Sequence, residues 1–111
     1  AAGLSVLRRL RDETVYEELE RRSARLEAGL APFGLVQRVG AMLTGFFHPG
    51  PVHSFADAVG SDIERYARFH AHMLERGIYL APSQFEAMMP SLAHTPEQVE
   101  LTLAAAREFE R

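Results

Sequence analysis

The segment Leu80-Ala81-Pro82-Ser83-Gln84-Phe85-Glu86-Ala87-Met88-Met89-Pro90 sets one carboxylate, Glu86, among large apolar residues. It reads as a loop between two short strands. Connections normally run through water, so an apolar loop is uncommon on a free surface. Two readings follow from the residues. In one, Phe85, Met88 and Met89 plug the domain's own core while Glu86 points outward. In the other, the loop lines a ligand cleft against another domain, with Glu86 inside it as a hydrogen-bonding or acid/base group.

Other chemistry-bearing residues carry less. His70 and His72 lie two apart on a helix and point about 200° away from each other, so they cannot share an ion. His48 and His53 flank a Pro-Gly-Pro turn with no third ligand placed by the sequence. All four read as core or surface histidines, and no metal site is expected. Gly40-Ala41-Met42-Leu43-Thr44-Gly45 is glycine-rich, but no helix follows it and it lacks the lysine of a phosphate loop. A nucleophile elbow with Ser, His and Asp in order is also missing.

Composition narrows the field. There is no cysteine, which removes thiolate chemistry and disulfides. All twelve basic residues are arginine, so any mechanism needing a lysine amine is closed to these 111 residues. A net charge of −3 gives no basic footprint for nucleic acid, and no nucleic-acid partner is expected. The apolar runs fall far short of the ~20 residues that span a bilayer, so no membrane partner is expected either. At 47% hydrophobic and 24% charged, the chain has the composition of one globular domain. It opens on Ala1-Ala2-Gly3-Leu4 without an initiator Met or an N-cap, as expected of a fragment or a processed product.

The elements that must position Glu86 follow from periodicity and capping. Residues 1 to about 30 read as two helices with a bend near Arg11-Asp12-Glu13-Thr14. In the second, Val15, Leu19, Leu26 and Leu30 form the apolar face, while Glu17, Glu18, Arg21, Arg22 and Arg25 form a solvated one. Ala31-Pro32-Phe33-Gly34 ends that helix. Leu35–Val39 and Met42–Phe47 read as strands, with Gly40 at a bulge or bend between them. Residues 52 to 60 read as a loop anchored by Phe55 and Ala56. Ser61-Asp62-Ile63-Glu64 reads as a capping box with Ser61 as N-cap. The helix it opens reaches about Arg76, stops at Gly77, and carries the stripe Ile63, Tyr66, Ala67, His70, Met73 and Leu74. Ile78-Tyr79-Leu80 reads as a strand. Thr95-Pro96-Glu97-Gln98 caps a last helix with Val99, Leu103, Ala106 and Phe109 on one side. The expected class is α+β, with helices packed on one face of a small, largely antiparallel sheet.

Several of these segments resemble one family. Val39-Gly40-Ala41-Met42-Leu43-Thr44-Gly45-Phe46-Phe47 is similar to its Val-Gly-Ser-Met-Phe-Thr-x-Phe-Phe strand, and Phe55-Ala56-Asp57-Ala58 with Ser61-Asp62 to its Tyr-Ala-Asp-Ala…Ser-Asp segment. The run from His72 to Ala87 is the most specific match, and Ser91-Leu92-Ala93-His94-Thr95 follows at the family's spacing. Ala1-Ala2-Gly3-Leu4 is similar to the helix after its Gly-Asn-Pro turn. The family is glutamate-1-semialdehyde 2,1-aminomutase, within the class III pyridoxal-phosphate aminotransferases of the aspartate-aminotransferase fold.

The resemblance implies that residues 1–111 are the small C-terminal domain with its leading connecting helix. The large cofactor-binding domain is then absent, and the chain is inactive alone. It implies a cytoplasmic homodimer that isomerises glutamate-1-semialdehyde to 5-aminolevulinate in tetrapyrrole synthesis, using pyridoxal or pyridoxamine phosphate. That cofactor would be held mainly by the large domain, the chain's own remainder, with none of its ligands here. Glu86 maps onto the family's Phe-Glu-Ala carboxylate beside a small-molecule substrate, and Ser83, Gln84 and Phe85 flank the same cleft. After Ala87 the family continues Gly-Phe where this sequence has Met88-Met89-Pro90, which touches substrate preference. A related class III ω-aminotransferase is the alternative. Many of those carry an arginine for the substrate carboxylate in this region, and none lies between Ile78 and Glu100. A non-enzymatic interaction domain is the third reading.

Overall fold

The structure, a computed structural model, describes residues 1–109; Glu110 and Arg111, the last two of the expected domain, lie outside the described residues. Two helices open the chain, α1 (Ala2–Arg9) and α2 (Glu13–Leu30), with the break where the sequence predicts it. Asp12 makes that break. Its side chain accepts the Thr14 amide at 3.0 Å and the Thr14 hydroxyl at 2.7 Å, capping α2. α1 buries none of its residues. A 3-10 turn, Ala31–Phe33, then turns the chain into an antiparallel hairpin of β1 (Leu35–Val39) and β2 (Met42–Phe46). Val39 pairs with Met42 around Gly40-Ala41, and Gly40 has φ +57°. Gly40 therefore begins a two-residue hairpin turn rather than a bulge.

The period of two along these strands separates two faces. Val36 opposite Gly45, and Arg38 opposite Leu43, look toward the helices. Leu43 is fully buried there, and Arg38 Nε donates to the Glu27 carboxylate of α2 at 2.7 Å. On the opposite face, with Gln37, Val39, Met42 and Thr44, Gln37 bonds the backbone of Val52 and Val39 is 75% exposed. The sheet is α+β as expected, with its helices on one side.

One short helix, and the start of a longer one, depart from expectation. Residues 55–59 are a helix, α3 (Phe55–Val59), closed by a capping box in which Ser54 and Asp57 each accept the other's amide, at 3.2 and 2.9 Å. The backbone amide of His53 and the Ser54 hydroxyl also bond that carboxylate, and together these hold Asp57 below the usual range. Phe55 is exposed, so it does not anchor this segment in the core. In α4 (Ile63–Glu75) the N-cap is Asp62, not Ser61. The Asp62 amide donates to the Phe47 carbonyl at 2.9 Å, and its side chain accepts the Arg65 amide at 2.8 Å. That tie to β2's end shifts the start by one residue and leaves the buried Ser61 hydroxyl without a partner. The buried face of α4 is Tyr66, Phe69 and Met73, while Ile63 and Leu74 stay exposed.

Gly77, at φ +77°, ends α4 as predicted. Ile78 donates back to the Met73 carbonyl, and Gly77 to that of Leu74, the Schellman arrangement. Ile78-Tyr79-Leu80, expected as a strand, forms none among the described residues. The sheet's further contact is a bridge between Leu43 and Met88. Thr95 and Gln98 form the expected box at the start of α5 (Pro96–Arg107). Val99, Leu103, Ala106 and Phe109 are all buried, in one core with Leu30, Phe69 and Met73.

The charged side of α2 is not uniformly solvated. Glu18 pairs with Arg22 at 3.0 Å as the spacing predicts. The same Arg22 donates to the carbonyls of Ser91, Leu92 and His94, and only 14% of its side chain is exposed. Arg25 forms a two-pronged pair with Glu100 of α5, at 2.7 and 2.8 Å. These arginines fasten α2 to the segment that leads into α5.

Candidate functional site

Each end of the loop is tied to a different element. At its start, the Tyr66 hydroxyl of α4 donates to the Ala81 carbonyl at 2.6 Å. The peptide that follows belongs to Pro82 and has no N–H, so this carbonyl is its sole hydrogen-bonding group, and Tyr66 takes it. At its end, Leu43 and Met88 exchange both backbone bonds, at 3.1 and 2.8 Å. Between them the chain turns tightly, with the Glu86 amide donating to the Ser83 carbonyl at 3.1 Å and the Phe85 amide to the Ser83 hydroxyl at 3.2 Å. The Thr44 hydroxyl, on that opposite face of the hairpin, donates to the Glu86 carbonyl at 3.3 Å. Glu86 is thus presented from a fixed backbone, on the side of the sheet away from α2, with its side chain exposed.

The two readings of the loop divide by residue. Met88 packs against the core, whereas Phe85 and Met89 stand exposed, at 45% and 68%. Phe85 stacks at 5.9 Å on the exposed Phe55, joining α3 to the loop. Ser83 is half-buried. Gln84 does not face the same way as Glu86: it is turned into the protein, 1% exposed, with neither its amide oxygen nor its nitrogen partnered.

The charge of Glu86 is felt at Tyr66. Burial, and then the charge of Glu86, push the Tyr66 phenol up to about 12. Tyr66 is therefore a neutral donor throughout the physiological range. Its place in the apolar stripe is legible from spacing, but its bond to Ala81 is not. The general rule that a buried tyrosine hydroxyl finds a partner was the available signal. Of the histidines, His72 Nε2 lies 2.8 Å from the Ala105 carbonyl and His48 Nδ1 2.7 Å from that of Gly50. Among the described residues no three His, Asp or Glu side chains converge as a metal site, and no helix is long and apolar enough to cross a membrane.

No protein-family model matches the chain. Curated proteins do. The glutamate-1-semialdehyde 2,1-aminomutase of Desulfitobacterium hafniense (strain DSM 10664 / DCB-2) is 48% identical over 115 aligned residues, which take in 97% of this chain and 27% of that protein. This chain is a relative of the glutamate-1-semialdehyde 2,1-aminomutases. The aminomutase of Sorangium cellulosum is 51% identical over 96% of the chain, and that of Chlorobium phaeobacteroides 50% over 94%. Against each of these aminomutases the chain spans about a quarter of the relative's length.

Proposed function

We propose that the chain is the C-terminal small domain, with its leading helix, of a glutamate-1-semialdehyde 2,1-aminomutase, and that it presents Glu86 to the substrate. The supporting observation is the 44–51% identity to those aminomutases along nearly the whole chain. The enzyme would isomerise glutamate-1-semialdehyde to 5-aminolevulinate as a cytoplasmic homodimer, with this domain packed over the cofactor cleft of the large domain.

Pyridoxal or pyridoxamine phosphate, the cofactor such an enzyme uses, does not fit the residues present here. They include no lysine amine, and the glycines of 40–45 belong to a hairpin rather than to a helix N-terminus. Cofactor binding is accordingly assigned to the rest of the enzyme, and no step through it is derived from this chain.

What this chain contributes is a carboxylate on a braced turn. A polar group of the substrate that meets Glu86 in a cleft closed to water would find a strong acceptor, held in place before binding. Ser83 and the exposed ring of Phe85 flank it and wall the same side. Substitution Glu86→Gln keeps the shape and removes the charge, so it is the informative variant in the whole enzyme. Loss of turnover with the cofactor still bound supports the reading, and unchanged turnover refutes it.

The class III ω-aminotransferase alternative gains nothing from the structure. Its expected mark, an arginine between Ile78 and Glu100, does not occur. The two differ in need: the isomerisation runs with no external amino acceptor, whereas a net transfer stops without one.

A further inference from the structure

Two residues before the turn that carries Glu86, the loop is fastened to the core through one side chain. Tyr66 is 6% exposed, its ring set edge-on to Phe47 at 6.4 Å, and α4 fixes its backbone one turn beyond the Asp62 cap. A ring so enclosed has one rotamer and one place for its oxygen. That oxygen lies 2.6 Å from the Ala81 carbonyl. The far end of the loop is fastened to β2 by the Leu43–Met88 pair. The interior is less well satisfied, because the buried Gln84 amide has no partner there. A short loop with so few bonds of its own keeps one shape only if both ends are held.

We propose that Tyr66 is a positioning residue for Glu86: its hydroxyl, bonded to the Ala81 carbonyl, holds the 81–88 loop where the Glu86 carboxylate meets the substrate. The inference rests on the reading of Glu86 given above and adds to it a residue that touches neither substrate nor cofactor. Tyr66 does so from the covered side of the domain, through the backbone. The phenol's high pKa is consistent with this use, since the donor is never lost at working pH.

The test is made in the whole aminomutase with Tyr66→Phe, which deletes one oxygen and keeps the ring. Hydrogen exchange of the amides in 83–88 should quicken by about tenfold, with the core amides of α5 unchanged. The kcat should fall by about tenfold with KM within about twofold, and cofactor absorbance should be retained. In a Glu86→Gln background the same change should cost little further, because there is no carboxylate left to misplace. Unchanged exchange in 83–88 overturns the proposal. So does a fall in kcat that is as large with Glu86→Gln as without it, which would mark Tyr66 as a structural residue only. An enzyme indifferent to Glu86→Gln fails differently: it refutes the role of Glu86 first, and with it any claim that Tyr66 positions a reacting group.

Discussion

Gly29 of α2 and Leu103 of α5 meet so closely that a Cβ built on Gly29 would stand 2.4 Å from Leu103 Cδ2. Leu103 is fully buried, so it has nowhere to retreat. Replacing Gly29 by Ala gains up to about 1 kcal/mol of helix propensity but overpacks the core by about 1–3 kcal/mol. Overpacking wins. Gly29→Ala should lower stability by about 1 kcal/mol in urea unfolding of the whole protein, and a rise in the midpoint would contradict this contact.

Arg22 and Arg25 make the opposite point about charge. Arg25 has the two-pronged carboxylate partner, Glu100, but both side chains are about half exposed. Arg22 is mostly buried and serves three carbonyls of the 91–94 turn. Arg22→Ala should therefore cost about 2 kcal/mol, since it removes a mostly buried side chain together with the three bonds that hold the 91–94 turn to α2. Arg25→Ala should cost under about 1 kcal/mol. Thermal melts of the two variants check the order, and the reverse order would refute it.

Gln84 supplies a prediction with the other sign. A buried amide with both atoms empty loses its bonds to water and gains none. Gln84→Met keeps the length and removes both polar atoms, so it should stabilise by about 1 kcal/mol in thermal unfolding. A lowered melting temperature would mean that the amide has a partner in the assembled enzyme.

Tyr66 gives a pH dependence. Its folded pKa, about 12, lies above the ordinary value of about 10. The linked stability is therefore fully present below about pH 10 and is lost as pH rises through 12. A spectrophotometric titration should show one phenol ionising near 12 that is missing from Tyr66→Phe. In Glu86→Gln the same step should move to lower pH, because the carboxylate's charge is the second cause of the rise. An unmoved step would place Glu86 away from Tyr66.

The parts of this fold that the sequence shows are those decided locally. Thr95-Pro96-Glu97-Gln98 and the stripe from Val99 to Phe109 need nothing outside α5, and both hold. Gly77 needs only its own positive φ. The misreadings occur where a distant group decides. Ser61 and Asp62 can each cap a helix, and the Phe47 carbonyl selects Asp62. The buried side of α4 is likewise set at a distance, by the rings of Phe47 and Phe109 that Phe69 packs against. Ile78-Tyr79-Leu80 has strand-forming residues but no neighbouring edge to pair with. The Ser54–Asp57 box uses Asp where the usual pattern has Glu or Gln, so it reads as a loop. At the site, the apolar loop stands out from composition. The outward turn of Glu86 and the inward turn of Gln84 do not, because a tight turn breaks the alternation that would reveal them.

The role of Glu86 is decided by 5-aminolevulinate formation from glutamate-1-semialdehyde in the whole enzyme, with no amino acceptor added, for the native protein and for Glu86→Gln. The native enzyme should form product, and kcat should fall by about a hundredfold or more in the variant, with its cofactor spectrum intact. No product without an added acceptor, or equal turnover in the two proteins, would contradict it.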